Sequence, residues 1–103
     1  MGMKPFWADY TNHMFRFYCR NEESIRGFRS GVDEENFIAC RAAMKELPER
    51  EREVIRQIYR YPGCLTQAVD TYVEGHPGEK QTHIFDVLYR AGKRAARLRG
   101  LIA

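Results

Sequence analysis

Apolar residues recur at helical spacing along most of the chain, and this periodicity constrains the fold most strongly. Between residues 65 and 73 they occupy positions i, i+3, i+4, i+7 and i+8, which places them on one face of an α-helix. No segment alternates convincingly as a half-buried strand does. A chain of 103 residues is long enough for one hydrophobic core. The sequence therefore predicts an all-α fold, a compact bundle of about five helices in a single domain, 1–103.

Proline and glycine residues divide this pattern into separate helices. Pro48 is expected at the first helical position of the third helix, and Ser30 with Asp33 is expected to cap the second. A glycine-rich turn at residues 75–78 precedes the fifth helix. The predicted helices span about 5–20, 33–47, 48–61, 65 or 66–74, and 81–99.

The first predicted helix contains six of the 13 aromatic residues of the chain. Phe6 and Phe15 lie off the stripe that begins at Trp7, so one face cannot bury all six rings. Two interpretations remain open. The helix packs across the second and third helices and completes the core, or segment 5–20 is an arm that binds a protein partner or a second copy of the chain. The candidate interface residues are Phe6, Trp7, Tyr10 and Phe15.

The last 24 residues form a segment with a strong net positive charge. Residues 80–103 contain six of the 17 lysines and arginines and only one acid, a net charge of +5, whereas the remainder of the chain sums to −2. Such asymmetry favours a polyanionic partner at the fifth helix, because helical cations neutralise phosphates and release counterions. The alternative is a solvated basic face whose cations pair with acids on the third helix.

The two last helices, joined through a glycine-bearing turn, are typical of a helix-turn-helix. From Phe37 to Leu98 the order of features resembles the fourth conserved region of sigma-70 family transcription factors, and LPEREREVI (Leu47 to Ile55) is the most specific match. The resemblance implies that residues 33–100 form a helical unit whose last helix enters the major groove of promoter DNA, and that this unit contacts RNA polymerase. The turn EGHPGEKQ is longer than the usual helix-turn-helix connection of about three to four residues. The chain is also too short for the promoter-melting region of a complete sigma factor.

A recognition helix presents its first turns to base edges and its later cations to phosphates. The base-reading candidates are Gln81, Thr82, His83, Asp86, Tyr89 and Arg90. The phosphate-contact candidates are Lys80, Lys93, Arg94, Arg97 and Arg99. Asp86 is expected to lie over a base or to pair with Arg90.

Other functions have little support in the sequence. The three histidines are isolated, and the spacing of Cys64, His76 and His83 matches no standard zinc site, so we expect no enzyme activity, metal or cofactor. The three cysteines are interpreted as small buried hydrophobic residues. No segment reads as a signal peptide or a membrane span, which predicts a cytoplasmic protein.

Two functional hypotheses follow. The first is a transcription regulator that binds double-stranded DNA through the fifth helix, as a homodimer or together with RNA polymerase. The second is an inhibitor or adaptor that uses the same basic helix to bind a protein or nucleoprotein machine. The small size of the chain suggests a regulator encoded by a phage or mobile element.

Overall fold

Five α-helices and no strand are present in the part of the chain that the structure, a computed structural model, describes, residues 4–103. The helices are α1 (Ala8–Asn21), α2 (Gly31–Lys45), α3 (Glu49–Arg60), α4 (Leu65–Gly75) and α5 (Gln81–Leu98). The all-α bundle of five helices predicted from the apolar spacing is confirmed.

The helix starts follow from local hydrogen bonding. Ser30 accepts the backbone N–H of Asp33 at 3.2 Å, so α2 begins at Gly31, two residues before the predicted start. The prediction for Pro48 was wrong. Its backbone is extended (φ −60°, ψ 151°), so Pro48 caps α3 and Glu49 becomes the first helical residue. α1 starts at Ala8 because residues 6–7 form a turn in which the N–H of Ala8 binds the carbonyl of Pro5 at 3.0 Å.

One hydrophobic core receives side chains from all five helices. α1 packs against α2 and α3, as one of the two interpretations of the aromatic helix predicted, and it also packs against α5. Phe15 stacks on Tyr59 with ring centroids 5.6 Å apart, and Tyr18 packs on Phe37 at 4.8 Å. The N-terminal helix is therefore part of the core and not a detached arm.

α1 and α5 approach each other closely at Gly92. A Cβ atom at this position would lie 3.0 Å from Oγ1 of Thr11 and 3.3 Å from the ring of Trp7. A Cβ atom here would require the side chains of Thr11 and Trp7 to shift, because such contacts are tighter than ordinary van der Waals distances. The absence of a side chain at Gly92 thus allows Thr11 and Trp7 to pack closely against α5.

A turn of five residues, 76–80, joins α4 to α5. The N–H of Glu79 binds the carbonyl of His76 at 3.1 Å across Pro77 and Gly78, and Gly78 has a φ of 95°. Proline at the second position and a glycine with positive φ at the third are typical of a type II turn. The carboxylate of Glu79 binds Arg50 at 3.2 Å and His83 at 3.0 Å, which ties the turn to α3 and to the first turn of α5.

None of the helices within residues 4–103 has the length and apolar character needed to span a membrane.

Candidate nucleic-acid interface

The inner face of α5 is an apolar stripe that belongs to the core. Its buried residues are Ile84, Val87, Leu88, Ala91, Gly92, Ala95 and Ala96. Leu98, at the end of α5, lies outside this stripe and is 40% exposed. The stripe holds α5 against the other four helices, so its outer face presents side chains from a fixed backbone.

Two arginines on one flank of α5 bind acids of the neighbouring helices. Arg90 contacts Glu51 of α3 at 3.3 Å and Asp86 at 2.9 Å. The hydrogen bonds to Asp86 and then to Glu51 raise the pKa of Arg90 above its ordinary value. Arg94 binds Glu46, the residue that caps α2, at 2.8 Å, and this bond likewise raises the pKa of Arg94. Both guanidinium groups already have carboxylate partners.

Arg99 takes part in a polar network under the end of α5. Its Nε donates to Oδ1 of buried Asn36 at 2.7 Å, and its guanidinium lies 3.2 Å from Glu35. The side-chain amide of Asn36 in turn donates to the hydroxyl of Tyr10 at 3.0 Å. Arg99 therefore links α5 to α2 and, through Asn36, to α1. Among the acids of residues 4–103 that bind arginines of the basic helix, Glu51 alone lies on α3, where the alternative interpretation of a solvated basic face placed them.

The other three cations predicted to contact phosphate have no carboxylate within 4.0 Å among residues 4–103. Lys80 and Arg97 are exposed, and Lys93 is half-buried. Lys93 and Arg97 are four residues apart, so they are neighbours on the helix surface. We call Lys80, Lys93 and Arg97 the open cations.

Most base-reading candidates already have hydrogen-bond partners within the chain. Gln81 donates to Asp70 of α4, His83 pairs with Glu79, and Arg90 pairs with Asp86 as expected. The hydrogen bond from His83, together with the charges of His83 and Arg50, lowers the pKa of Glu79. Thr82 and Tyr89 are exposed, and neither side chain forms a hydrogen bond with residues 4–103.

A groove runs beside the first half of α5. It has a volume of 580 Å³ and lies between the N-terminal residues 4–12, the start of α4 and the outer side of α5. Phe85 and Tyr89 form part of its wall and are 40% and 47% exposed. Tyr89 rests on Trp7 with ring centroids 5.4 Å apart. Phe85 was not among the predicted site residues, although its spacing of four from Tyr89 places both rings on one side of the helix.

The predicted protein interface on α1 is mostly buried. Trp7 and Phe15 are buried, at 7% and 0% exposure, so the folded bundle leaves little of Trp7 and none of Phe15 at the surface. Tyr10 is half-buried and binds Asn36. Phe6 is 80% exposed. Among the four candidates, Phe6 alone presents its whole ring at the surface, because α2, α3 and α5 cover the others.

The cysteines and histidines of residues 4–103 do not come together in one metal-binding cluster. Cys19 and Cys40 are buried, as the sequence predicted, and burial raises the pKa of Cys19 to about 12. Cys64 is exposed, because it precedes α4 on the outside of the bundle, and its expected burial was wrong. Within residues 4–103 no three histidine, cysteine or acidic side chains are grouped as metal ligands.

Comparison with protein-family models, curated proteins and solved structures found no match to this chain.

Proposed function

We propose that the chain is a DNA-binding regulator that holds the phosphates of double-stranded DNA on the outer face of α5. The proposal depends on one observation, namely that some cations of the helix have carboxylate partners and others have none. Arg94 and Arg99 are bound to carboxylates, whereas Lys93 and Arg97 have none within 4.0 Å among residues 4–103. A cation without a carboxylate partner can bind phosphate and release counterions without first breaking an internal ion pair.

The resemblance to sigma-70 region 4 supports promoter DNA as the target and RNA polymerase as a protein partner. In this proposal α4, residues 76–80 and α5 act as a helix-turn-helix. Thr82 and Tyr89 are the preferred base contacts, because Gln81 and His83 would first have to leave Asp70 and Glu79. A DNA target also implies a cytoplasmic location. A homodimer would require two half-sites about one helical turn apart.

Duplex binding at increasing salt concentration tests the proposal. The wild-type affinity should fall linearly in a log–log plot, with a slope of about −0.9 per phosphate contact. A triple variant, Lys80→Gln, Lys93→Gln and Arg97→Gln, should bind more weakly and show a shallower slope. Failure of the wild type to bind any duplex at low salt would refute the proposal.

The matched control removes three charges elsewhere. Arg26, Arg29 and Lys45 also have no carboxylate within 4.0 Å among residues 4–103, and none lies on α5. Their triple substitution by glutamine gives the same net charge as the α5 variant. An equal loss of duplex binding in both variants would show that net charge, and not the face of α5, determines affinity.

A second candidate function is the inhibitor or adaptor that binds a protein. It is supported by an exposed apolar surface between α2 and the end of α5, where Ile38 is 46% and Leu98 40% exposed and both line a shallow groove. Isolated exposed apolar residues are common, but neighbouring ones mark contact surfaces. A protein partner that stays bound after nuclease treatment and is lost on Ile38→Asp would favour this function over DNA binding.

A further inference from the structure

Two aromatic rings and two open cations follow one another along a single ridge of α5. Successive members of the series Phe85, Tyr89, Lys93 and Arg97 are four residues apart, so each is a surface neighbour of the next in a row inclined to the helix axis. With a rise of about 1.5 Å per residue, the ridge is roughly 18 Å long. Its first half is aromatic and its second half is cationic.

The aromatic half of the ridge borders the groove of 580 Å³. This volume lies within the range of roughly 300–1,000 Å³ that is common for ligand sites. Tyr89 is supported from one side by Trp7, which is itself buried, so the tyrosine ring has a fixed backing. Polar side chains that can hydrogen-bond a ligand, Asn12, Thr66 and Thr82, also line the groove.

This arrangement fits an unpaired strand better than a duplex. In a duplex the faces of the bases are stacked on each other, whereas a single strand can place its bases on exposed aromatic rings and its phosphates on nearby cations. The charges along α5 fit a base at the aromatic rings and phosphates at the cations. Asp86, the acid in the groove, is neutralised by Arg90 at 2.9 Å, and the open cations Lys93 and Arg97 lie beyond the rings.

We propose that the ridge binds single-stranded nucleic acid, with an unpaired base against Phe85 and Tyr89 and the adjoining phosphates on Lys93 and Arg97. The proposal rests on the proposed function in one respect, because both use these two cations for phosphate. It adds Phe85 and the stacking of an unpaired base, neither of which the duplex proposal contains. An opened DNA strand and a single-stranded RNA share this chemistry.

The test compares labelled oligothymidine, labelled oligouridine and a DNA duplex by fluorescence anisotropy. Phe85→Leu and Tyr89→Leu should each weaken binding of a single strand by roughly tenfold, the scale of one lost stacking contact. Binding of the duplex should remain unchanged in Phe85→Leu, because Phe85 is not among the proposed duplex contacts, whereas Tyr89→Leu removes a proposed contact to both kinds of nucleic acid. The emission of Trp7, the only tryptophan, should change when the single strand binds, since its ring contacts Tyr89. The two single strands then distinguish DNA from RNA.

Leu98→Ala is the matched control, because Leu98 is an exposed apolar residue of α5 outside the ridge. If Tyr89→Leu lowers the melting temperature, its weaker binding can reflect a less stable fold, and the result for Phe85→Leu then decides whether a base stacks at this site. Duplex binding without single-strand binding, or single-strand binding that is insensitive to Phe85→Leu, overturns the single-strand site and leaves the proposed function standing. If the wild type binds neither single strands nor duplex, both the single-strand site and the proposed function are overturned.

Discussion

The N-terminal and C-terminal helices use the same kinds of side chain in opposite ways. In α1 the aromatic rings point inward, and Phe15 and Tyr18 are buried among α2 and α3. In α5 the inner face is built from small and aliphatic residues, and Phe85 and Tyr89 are at the surface. An aromatic residue on α1 therefore contributes to stability, whereas one on α5 is available for contact.

The cations of α1 and α5 also differ in whether they bind groups within the fold. Arg20, at the end of α1, donates to the carbonyls of Tyr59 and Tyr61 at 3.2 and 3.0 Å, where it satisfies the last carbonyls of α3. On α5, Arg94 and Arg99 also serve the fold, but Lys93 and Arg97 do not bind any carboxylate in residues 4–103. The comparison indicates that the neighbours of a side chain, and not its type, decide whether it is bound within the fold or left without a partner among residues 4–103.

The largest expected effect tests the structural role of α1. Phe15→Ala should lower the free energy of unfolding by about 3–5 kcal/mol, because it leaves a cavity beside Tyr59 in the core. Phe6→Ala, at an exposed ring of the same segment, should change it by less than about 0.5 kcal/mol. Urea denaturation measures both. Similar values for the two variants would mean that α1 is not the core helix described above.

The next effect compares two cations of α5. Arg99→Ala should cost about 1.5 kcal/mol of stability, because it removes charged hydrogen bonds to Asn36 and Glu35 in a partly buried site. Lys93→Ala should cost less than about 0.5 kcal/mol, since its side chain has no carboxylate partner among residues 4–103. If Lys93→Ala destabilises the chain as much as Arg99→Ala, the division of the cations is incorrect.

Thiol reactivity gives a smaller test of the burial of α1. Cys19 lies on the buried side of α1, and burial raises its pKa to about 12 and also raises the pKa of Cys40. Since the thiolate is the reactive form, we expect one rapidly reacting thiol, Cys64, in the native chain and three in denaturant. Titration with a chromogenic disulfide counts them. Rapid reaction of Cys19 would indicate that α1 detaches from the bundle.

The smallest expected effect concerns Glu79, whose carboxylate binds Arg50 of α3 and His83 at the start of α5. The folded pKa of Glu79 lies below its ordinary value of 4.5, so the stabilisation is complete above that value and is lost as the pH falls through the lowered pKa. Glu79→Gln should therefore show a smaller fall in melting temperature than the wild type on acidification below pH 4.5. Identical pH profiles would mean that Glu79 does not stabilise the start of α5.

The helices could be predicted from the sequence because their signals are local. Apolar spacing, the Ser30 cap and the proline and glycine breaks set the bounds of α2 to α5 to within about two residues. The type of start at Pro48 was wrong, and α1 begins at Ala8 rather than at about residue 5. The candidate site depends on contacts between distant residues. The partners of Arg94 and Arg99 on α2 lie 48 and 63 residues earlier in the chain, so the charge count could not separate them from Lys93 and Arg97.

The salt dependence of duplex binding by two single variants tests the central claim most directly. Arg97→Gln and Arg94→Gln remove the same charge from α5, but Arg94 is bound to Glu46 and Arg97 has no carboxylate partner within residues 4–103. We expect Arg97→Gln to reduce the slope of log affinity against log salt by about 0.9 and Arg94→Gln to leave it unchanged. Equal slopes for the two variants would contradict the division of α5 into structural and binding cations.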